Sequence, residues 1–128
     1  ELVIDSNNHT SNFEIIDIDN NNFIDYLSFN QNKVELYGLD RTLVHQNEFL
    51  ENIEQGHRII RNKNKQHFII IQKENSDELI ILDKYLNQIL STPVKGSLQI
   101  AIDDINSDGK QDIVTISKNE TIKVYYLN

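Results

Sequence analysis

The sequence predicts an all-β fold built from small antiparallel sheets, on two observations. First, short runs rich in β-branched and aromatic residues recur along the whole chain, many with alternating apolar and polar positions, and polar or glycine residues separate them. Second, the pattern of these runs is itself repeated. A turn of helix is conceivable only at residues 46–58, and that segment is short. We therefore expect strands almost everywhere.

The repeat is clearest between residues 13–40 and 98–128. Stacking these two segments pairs Asp17 with Asp104, at a distance of two periods of about 43 residues. A middle copy should then lie between them, and residues 58–90 do show the same succession of strand, polar loop, strand, turn, strand. The chain is therefore expected to contain three copies of one unit.

A repeat of about 40 to 50 residues with four antiparallel strands is typical of a β-propeller blade. We therefore expect residues 1–128 to form a single β-propeller portion. The last strand of the middle blade is predicted at residues 87–91. Residues 1–5 look like the fourth strand of a preceding blade or of the last one. The blades themselves are predicted at about residues 13–46, 57–91 and 98–128.

Three blades fall short of the usual four to eight. An open arc would expose sheet edges and apolar faces, which invite aggregation. Three solutions stay open: a larger propeller of which this is a piece, two chains that associate into a six-bladed ring, or three blades packed as a small closed unit. The absence of methionine, even at position 1, favours the first. The rest of a larger propeller or a second copy of the chain is expected to close the ring.

Composition narrows the classes of partner. The chain has 20 acidic and 12 basic residues and a formal charge of -8, which repels nucleic acid and anionic membranes and suits cations. It has no cysteine, so disulfides and thiolate metal sites are excluded. No apolar run approaches the roughly 20 residues of a membrane span. We expect no nucleic acid, no membrane insertion and a metal ion as partner.

An unusually acidic loop separates the first two strands of the last blade. Calcium takes six to eight oxygen ligands, which alternate residues of a tight loop can supply, and glycine at position 6 permits a sharp turn. Gly109 holds that position, and the carbonyl group of Lys110 at position 7 could add a ligand. Positions 1, 3, 5 and 9 of the loop are occupied by Asp104, Asn106, Asp108 and Asp112.

The first blade has a matching loop. Asn22 stands at position 6, where asparagine is the non-glycine residue best able to adopt a left-handed conformation, and Phe23 stands at position 7. Two structural Ca²⁺ sites are therefore predicted, with Kd on the order of 10⁻⁵–10⁻³ M because no bidentate glutamate is present. The alternative for each loop is a turn that caps its own backbone. Positions 1, 3, 5 and 9 are occupied by Asp17, Asp19, Asn21 and Asp25.

The loop pattern resembles one known family. An EF-hand is excluded because position 12 is Thr115 or Ser28 and strands, not helices, flank the loop. "DINSDGKQDIV", in contrast, resembles the D-x-[DN]-x-[DN]-G-x-x-D loop of FG-GAP/VCBS repeats, the β-propeller blades of integrin α-subunits and many bacterial surface proteins. The resemblance covers all three blades, strongly at 104–114, well at 17–27 and weakly at 61–68. It implies calcium in each loop and a role in adhesion or scaffolding.

The sequence also departs from that family. It has no Phe-Gly or Gly-Ala-Pro motif, so ligand recognition of the integrin type is not supported. The middle loop has Arg61, Lys63 and Lys65 where the other loops have ligands, and it is not expected to bind Ca²⁺. Two interpretations of this loop remain: a solvated short turn, or a contact for an anionic partner or a neighbouring acidic surface.

Catalytic motifs are missing from the sequence: there is no H-E-x-x-H, no G-x-S-x-G and no phosphate-binding glycine loop. We expect a non-catalytic, calcium-stabilised interaction or adhesion module with a protein or glycan partner. Calcium sites of modest affinity suit an extracellular, cell-surface or periplasmic location, with the signal segment outside this chain. The alternative is a non-catalytic propeller portion of a larger secreted enzyme, which positions a catalytic domain or binds glycan.

Overall fold

The computed structural model describes residues 11–53, 56–91, 94–117 and 119–127. Within these residues the chain is all-β, as predicted, with eleven strands and no helix. The strands form three antiparallel sheets, each a simple meander in which strands adjacent in sequence are neighbours. We call them the first, middle and last sheet.

The strand bounds are as follows. The first sheet contains β1 (Ser11–Ile16), β2 (Asp25–Asn30), β3 (Lys33–Tyr37) and β4 (Leu43–Glu48). The middle sheet contains β5 (Gly56–Arg61), β6 (His67–Gln72), β7 (Glu78–Leu82) and β8 (Val94–Lys95). The last sheet contains β9 (Ile100–Asp103), β10 (Asp112–Ile116) and β11 (Ile122–Tyr126).

The middle sheet is covered on both faces. Its central strands β6 and β7 are continuous apolar runs, as expected for strands that are buried on two sides. Because side chains alternate along a strand, Ile69 and Ile71 point towards the first sheet, whereas Phe68 and Ile70 point towards the last. Two apolar layers therefore hold the three sheets in one stack.

The first and last sheets use opposite faces for this contact. The first sheet packs through the face that carries Leu27 and its cross-strand neighbour Leu36, which we call its front. In the repeat, Leu27 corresponds to Val114, yet the last sheet packs through its other face, the back, which carries Ile102 and Ile113. The sheets therefore stack head to tail, the front of one against the back of the next.

The middle and last sheets approach closely at Gly96. A Cβ atom at this residue would lie 2.6 Å from the Cβ and Oγ1 atoms of Thr115, so only glycine fits. The hydroxyl group of Thr115 donates to the carbonyl of Lys95 (2.7 Å), and the N–H of Lys95 donates to the Tyr125 hydroxyl (2.9 Å). Backbone polar groups at the end of β8 are thus satisfied by the last sheet.

One expectation about elements was wrong. The last strand of the middle sheet is β8, not residues 87–91, which contribute a single bridge between Gln88 and Leu82 before the chain reaches β8. The possible helical turn at 46–58 is occupied at its start by β4, which continues to Glu48. The strand expected at residues 1–5 lies outside the described residues.

Candidate metal centres

The loop between β9 and β10 folds around the side chain of Asp104. Its Oδ1 accepts the backbone N–H of Asp108 (3.1 Å) and its Oδ2 accepts that of Gly109 (2.8 Å). The Asn106 side-chain oxygen also accepts the Asp108 N–H (3.3 Å), and Asp108 Oδ1 accepts the Lys110 N–H (2.8 Å). The side chains at positions 1, 3 and 5 are therefore turned towards the inside of the loop.

Asp112 closes the loop from the first position of β10. Its side chain is fully buried, and its Oδ2 accepts the N–H of Ile105 at 3.0 Å. Its Oδ1 is buried with no hydrogen-bond partner among the described residues. Carboxylate oxygens of Asp104, Asp108 and Asp112 all lie within 4.8 Å of one another. A buried anionic oxygen beside two more carboxylates is unfavourable unless a cation compensates it.

The loop between β1 and β2 repeats these contacts. Asp17 Oδ1 accepts the N–H of Asn21 (3.0 Å) and Asp17 Oδ2 that of Asn22 (2.8 Å), as Asp104 does in its own loop. Asp25, 8% exposed at the first position of β2, accepts the Ile18 N–H at 3.1 Å, as Asp112 accepts that of Ile105.

The remaining positions of the first loop match as well. Asp19 Oδ1 accepts the Asn21 N–H (3.3 Å), and Asn21 Oδ1 accepts the Phe23 N–H (2.9 Å). Here the carboxylates that lie within 4.8 Å of one another belong to Asp17, Asp19 and Asp25. The third carboxylate thus comes from position 3 in this loop and from position 5 in the other.

The backbone bends at the same two points in both loops. Position 4 has a positive φ in each, 60° at Asn20 and 61° at Ser107. Position 6 also has a positive φ in each loop, 71° at Asn22 and 85° at Gly109. The expectation that Asn22 takes the place of glycine in a left-handed conformation is confirmed, since asparagine tolerates this region best among residues with a side chain.

The pKa values of two carboxylates in the first loop, Asp25 and Asp17, are shifted in opposite directions. Burial raises the pKa of Asp25, and the charges of Asp19 and Asp17 raise it further, against a lowering by the Ile18 N–H. For Asp17, burial also acts to raise the pKa, but hydrogen bonds from Asn22 and Asn21 outweigh it and the pKa is lowered. The surroundings therefore favour the protonated form at Asp25 and the ionised form at Asp17.

These residues fit a hard cation. Oxygens that bind one Ca²⁺ at 2.3–2.6 Å lie within roughly 5 Å of one another, and each carboxylate triad meets that condition. The unpartnered Asp112 Oδ1 supplies an acceptor that the protein itself leaves unsatisfied. The side-chain donors are all oxygens, a set that suits calcium or magnesium rather than zinc.

The middle loop replaces the acidic arrangement with an amide. Asn62, 8% exposed, accepts the N–H groups of Asn64 and Gln66 on its Oδ1, both at 3.0 Å. Its Nδ2 donates to the Gln66 side chain at 2.8 Å. One neutral side chain therefore fixes this turn, a role that the sequence reasoning missed. The three cationic side chains of the loop, Arg61, Lys63 and Lys65, are exposed.

The three loops lie in a row along one edge of the stack. Asn20 donates to the Lys65 carbonyl (2.7 Å), and the Nδ1 atom of His67 lies 3.1 Å from the Ile18 carbonyl. On the other side, Asn62 donates to the side chain of Gln111 (3.2 Å). The middle loop thus joins both acidic loops, which places the two candidate sites on the same edge.

A cleft of about 370 Å³ adjoins the first acidic loop. Its rim holds an aromatic pair, His45 and Tyr85, packed edge to face at 5.5 Å, with the Lys84 ammonium 5.2 Å from the centre of the Tyr85 ring. No local sequence pattern predicts that Tyr85 lies beside this loop, because the two are far apart along the chain. Acidic groups of the cleft come from Asp19, Asp25 and Asp40.

Two further findings bear on function. In the part of the chain that the structure describes, there is no helix long and apolar enough to span a membrane. The sequence and the structure show no significant match to any protein-family model, any curated protein or any solved structure.

Proposed function

We propose that the loops 17–25 and 104–112 each bind one Ca²⁺ ion, and that the chain is a calcium-stabilised, non-catalytic interaction module of an exported or cell-surface protein. The observation that carries the proposal is the buried Oδ1 of Asp112, which has no protein partner and faces two further carboxylates. The same backbone arrangement, with a triad that takes its third carboxylate from position 3 rather than 5, recurs at the equivalent place in the first sheet.

A bound cation accounts for the two outer loops better than a turn that only caps its own backbone. A turn that only caps its own backbone needs one acceptor, as Asn62 shows in the middle loop. The two outer loops keep three carboxylates each within 4.8 Å, which repel one another without a counter-ion. A divalent ion in each loop would reverse that repulsion.

Calcium is favoured over magnesium by the ligand supply. The loops offer several side-chain oxygens on an exposed turn, and Ca²⁺ accepts six to eight oxygens in variable geometry, whereas Mg²⁺ demands an octahedron and retains several waters. The side chains of Asp17, Asp19, Asn21 and Asp25 would hold one ion, and those of Asp104, Asn106, Asp108 and Asp112 the other. The carbonyl groups of Phe23 and Lys110 are candidates for a further ligand.

The ion's contribution in this proposal is structural. Asp112 and Asp25 start the second strand of their sheets, so an ion bound to them and to the loop would fix the path from the first strand to the second. The head-to-tail stacking of meander sheets supports blades of a β-propeller as the architecture. The cleft beside the first loop, with Tyr85 on its rim, is where a protein or glycan partner would bind.

Thermal melting in calcium and in EDTA tests the metal role. At a free calcium concentration of ten times the Kd, each site raises the free energy of unfolding by about 1.4 kcal/mol. For a domain of this size that corresponds to a rise in Tm of roughly 3–6 °C per site. We expect Asp104→Ala and Asp108→Ala each to lower the Tm in calcium and to change it little in EDTA.

Asp83→Ala is the matched control. Asp83 Oδ1 accepts two backbone N–H groups, from Tyr85 and Asn87 (both 2.9 Å), in a turn that belongs to neither acidic loop, and Asp83 is a member of neither carboxylate triad. Its loss should lower the Tm equally with and without calcium. Equal losses for Asp104→Ala and Asp108→Ala in the two conditions would refute the metal role.

A further inference from the structure

Two apolar faces of the stack are exposed although their counterparts within the same chain are buried. On the back of the first sheet, Ile15 is 58% exposed, whereas the equivalent Ile102 on the back of the last sheet is 2% exposed. On the front of the last sheet, Ile122 is 67% exposed, whereas the equivalent Val34 on the front of the first sheet is fully buried. Each face has the composition of a contact that the chain already makes elsewhere.

The exposed faces are extended and apolar. The back of the first sheet carries the exposed Phe13, Ile15 and Leu43, the half-buried Tyr37 and the buried Tyr26, with the polar Ser28 and Glu35 beside them. The front of the last sheet is formed by Val114, Ile116, Ile122, Val124 and Tyr126. Apolar patches of this extent are uncommon on isolated soluble domains and mark surfaces that bind another protein surface.

Polar groups on the first sheet match those of the buried contact. Thr115 and Tyr125 use their hydroxyl groups to satisfy the backbone of Lys95 between the middle and last sheets. The equivalent residues on the back of the first sheet are Ser28 and Tyr37, which also carry hydroxyl groups. This face therefore has both the apolar and the hydrogen-bonding groups of a back that rests on another sheet.

We propose that the back of the first sheet packs on the front of the last sheet of a second copy of this chain, so that two copies close a ring of six sheets. The contact continues the head-to-tail stacking of the three sheets. The contact is heterologous, because the front of one sheet meets the back of another. Two such contacts, related by a two-fold axis, cover both exposed faces of each copy.

The number of copies rests on the propeller architecture proposed above, for a chain with three blades. Rings of four to eight blades are usual, and multiples of three within that range leave only six. The proposal does not depend on the calcium sites, because the two faces lie on the sheets and not on the acidic loops. Failure of this proposal would therefore leave the calcium-dependent shift in Tm unchanged.

Sedimentation equilibrium of the 128-residue chain, in calcium, tests the assembly. We expect twice the 14.9 kDa of one chain. Ile15→Asp and Ile122→Asp each place a charge in both contacts of the ring, and either charge alone should break the contact that holds it, so each variant should sediment with the mass of one chain. Leu50→Asp, at a fully exposed position on the connection after β4, is the matched control and should leave the mass unchanged.

Mixing the two variants distinguishes head-to-tail contact from pairing of identical faces. Ile15→Asp keeps an intact front and Ile122→Asp an intact back, so an equimolar mixture should recover dimers through one intact contact. Should Ile122→Asp impair folding, as judged by circular dichroism, Val124→Lys alters the same face. A monomeric wild type, an open-ended series of masses, or dissociation caused by only one of the two variants would overturn the proposal.

Discussion

The N–H of Ile105 donates to Oδ2 of Asp112 at 3.0 Å, across the acidic loop, and leaves Oδ1 of the same carboxylate buried without a partner. Ile18 and Asp25 form the same contact in the first sheet at 3.1 Å. The hydrogen bond fixes one oxygen of each carboxylate and so determines the direction of the other.

Asp112→Asn should have effects of opposite sign in the two metal states. In EDTA the change removes a buried charge from a cluster of three carboxylates, so we expect the free energy of unfolding to rise by about 1 kcal/mol. In calcium the change removes a charged ligand and should lower stability relative to wild type. Urea unfolding in each condition measures both values, with Asp83→Asn as a control whose effect keeps one sign. An Asp112→Asn effect of the same sign in both conditions would contradict the account.

Calcium binding by the first loop should weaken as the pH falls. Burial and the neighbouring charges raise the pKa of Asp25, so without metal its ionised form costs stability, and that cost disappears as the pH falls through the raised pKa. Calcium needs the ionised form, so protons compete with it over the same range. The calcium-induced shift in Tm, followed against pH in the Asp104→Ala variant, isolates this loop. A shift independent of pH from neutral down to pH 4 would contradict the prediction.

Gly109→Ala should destabilise the chain through backbone conformation alone. Gly109 has φ of 85°, and no atom lies within 4 Å of the place where a Cβ would be, so steric overlap is not the cause. A left-handed conformation costs a residue with a side chain about 1–2 kcal/mol. Gly109→Asn should cost less, and Asn22→Gly should be close to neutral. Urea unfolding in EDTA compares the three, and a neutral Gly109→Ala would show that the loop bends differently.

An ion-pair cluster on the middle sheet should give a separate dependence on pH. Lys95 lowers the pKa of Asp77, and Lys73, followed by Lys95, lowers that of Glu78. Because the folded-state pKa values are lowered, the stabilisation is present above the ordinary values near 4 and is lost as the pH falls through the lowered ones. The stability gap between wild type and Lys95→Gln should therefore narrow below about pH 4. Thermal melting in EDTA at a series of pH values measures this difference. A difference that stays constant with pH would show that it does not arise from the ion pairs.

The acidic loops could be predicted from the sequence because their geometry is local. Position 6 requires a residue that tolerates a positive φ, and Gly109 and Asn22 are such residues in the printed sequence. Oxygens at alternate positions then turn inward, as those of Asp104 and Asp108 do. Strand alternation likewise revealed the three sheets.

The parts that could not be predicted depend on contacts between distant residues. β8 forms at Val94–Lys95, next to the point where Gly96 allows Thr115 of the last sheet to approach. No local sequence pattern predicts a strand there. The role of Asn62 depends on Gln111, a residue of another loop. The unpartnered oxygen of Asp112 depends on the burial of the strand that begins there.

The most direct test of the central claim is a calorimetric titration of the metal-free chain with calcium. We predict two ions bound per chain, one remaining in Asp104→Ala, one in Asp17→Ala and none in the double variant. A wild-type chain that binds no calcium, or binding that persists in the double variant, would contradict the assignment of the two loops as calcium sites.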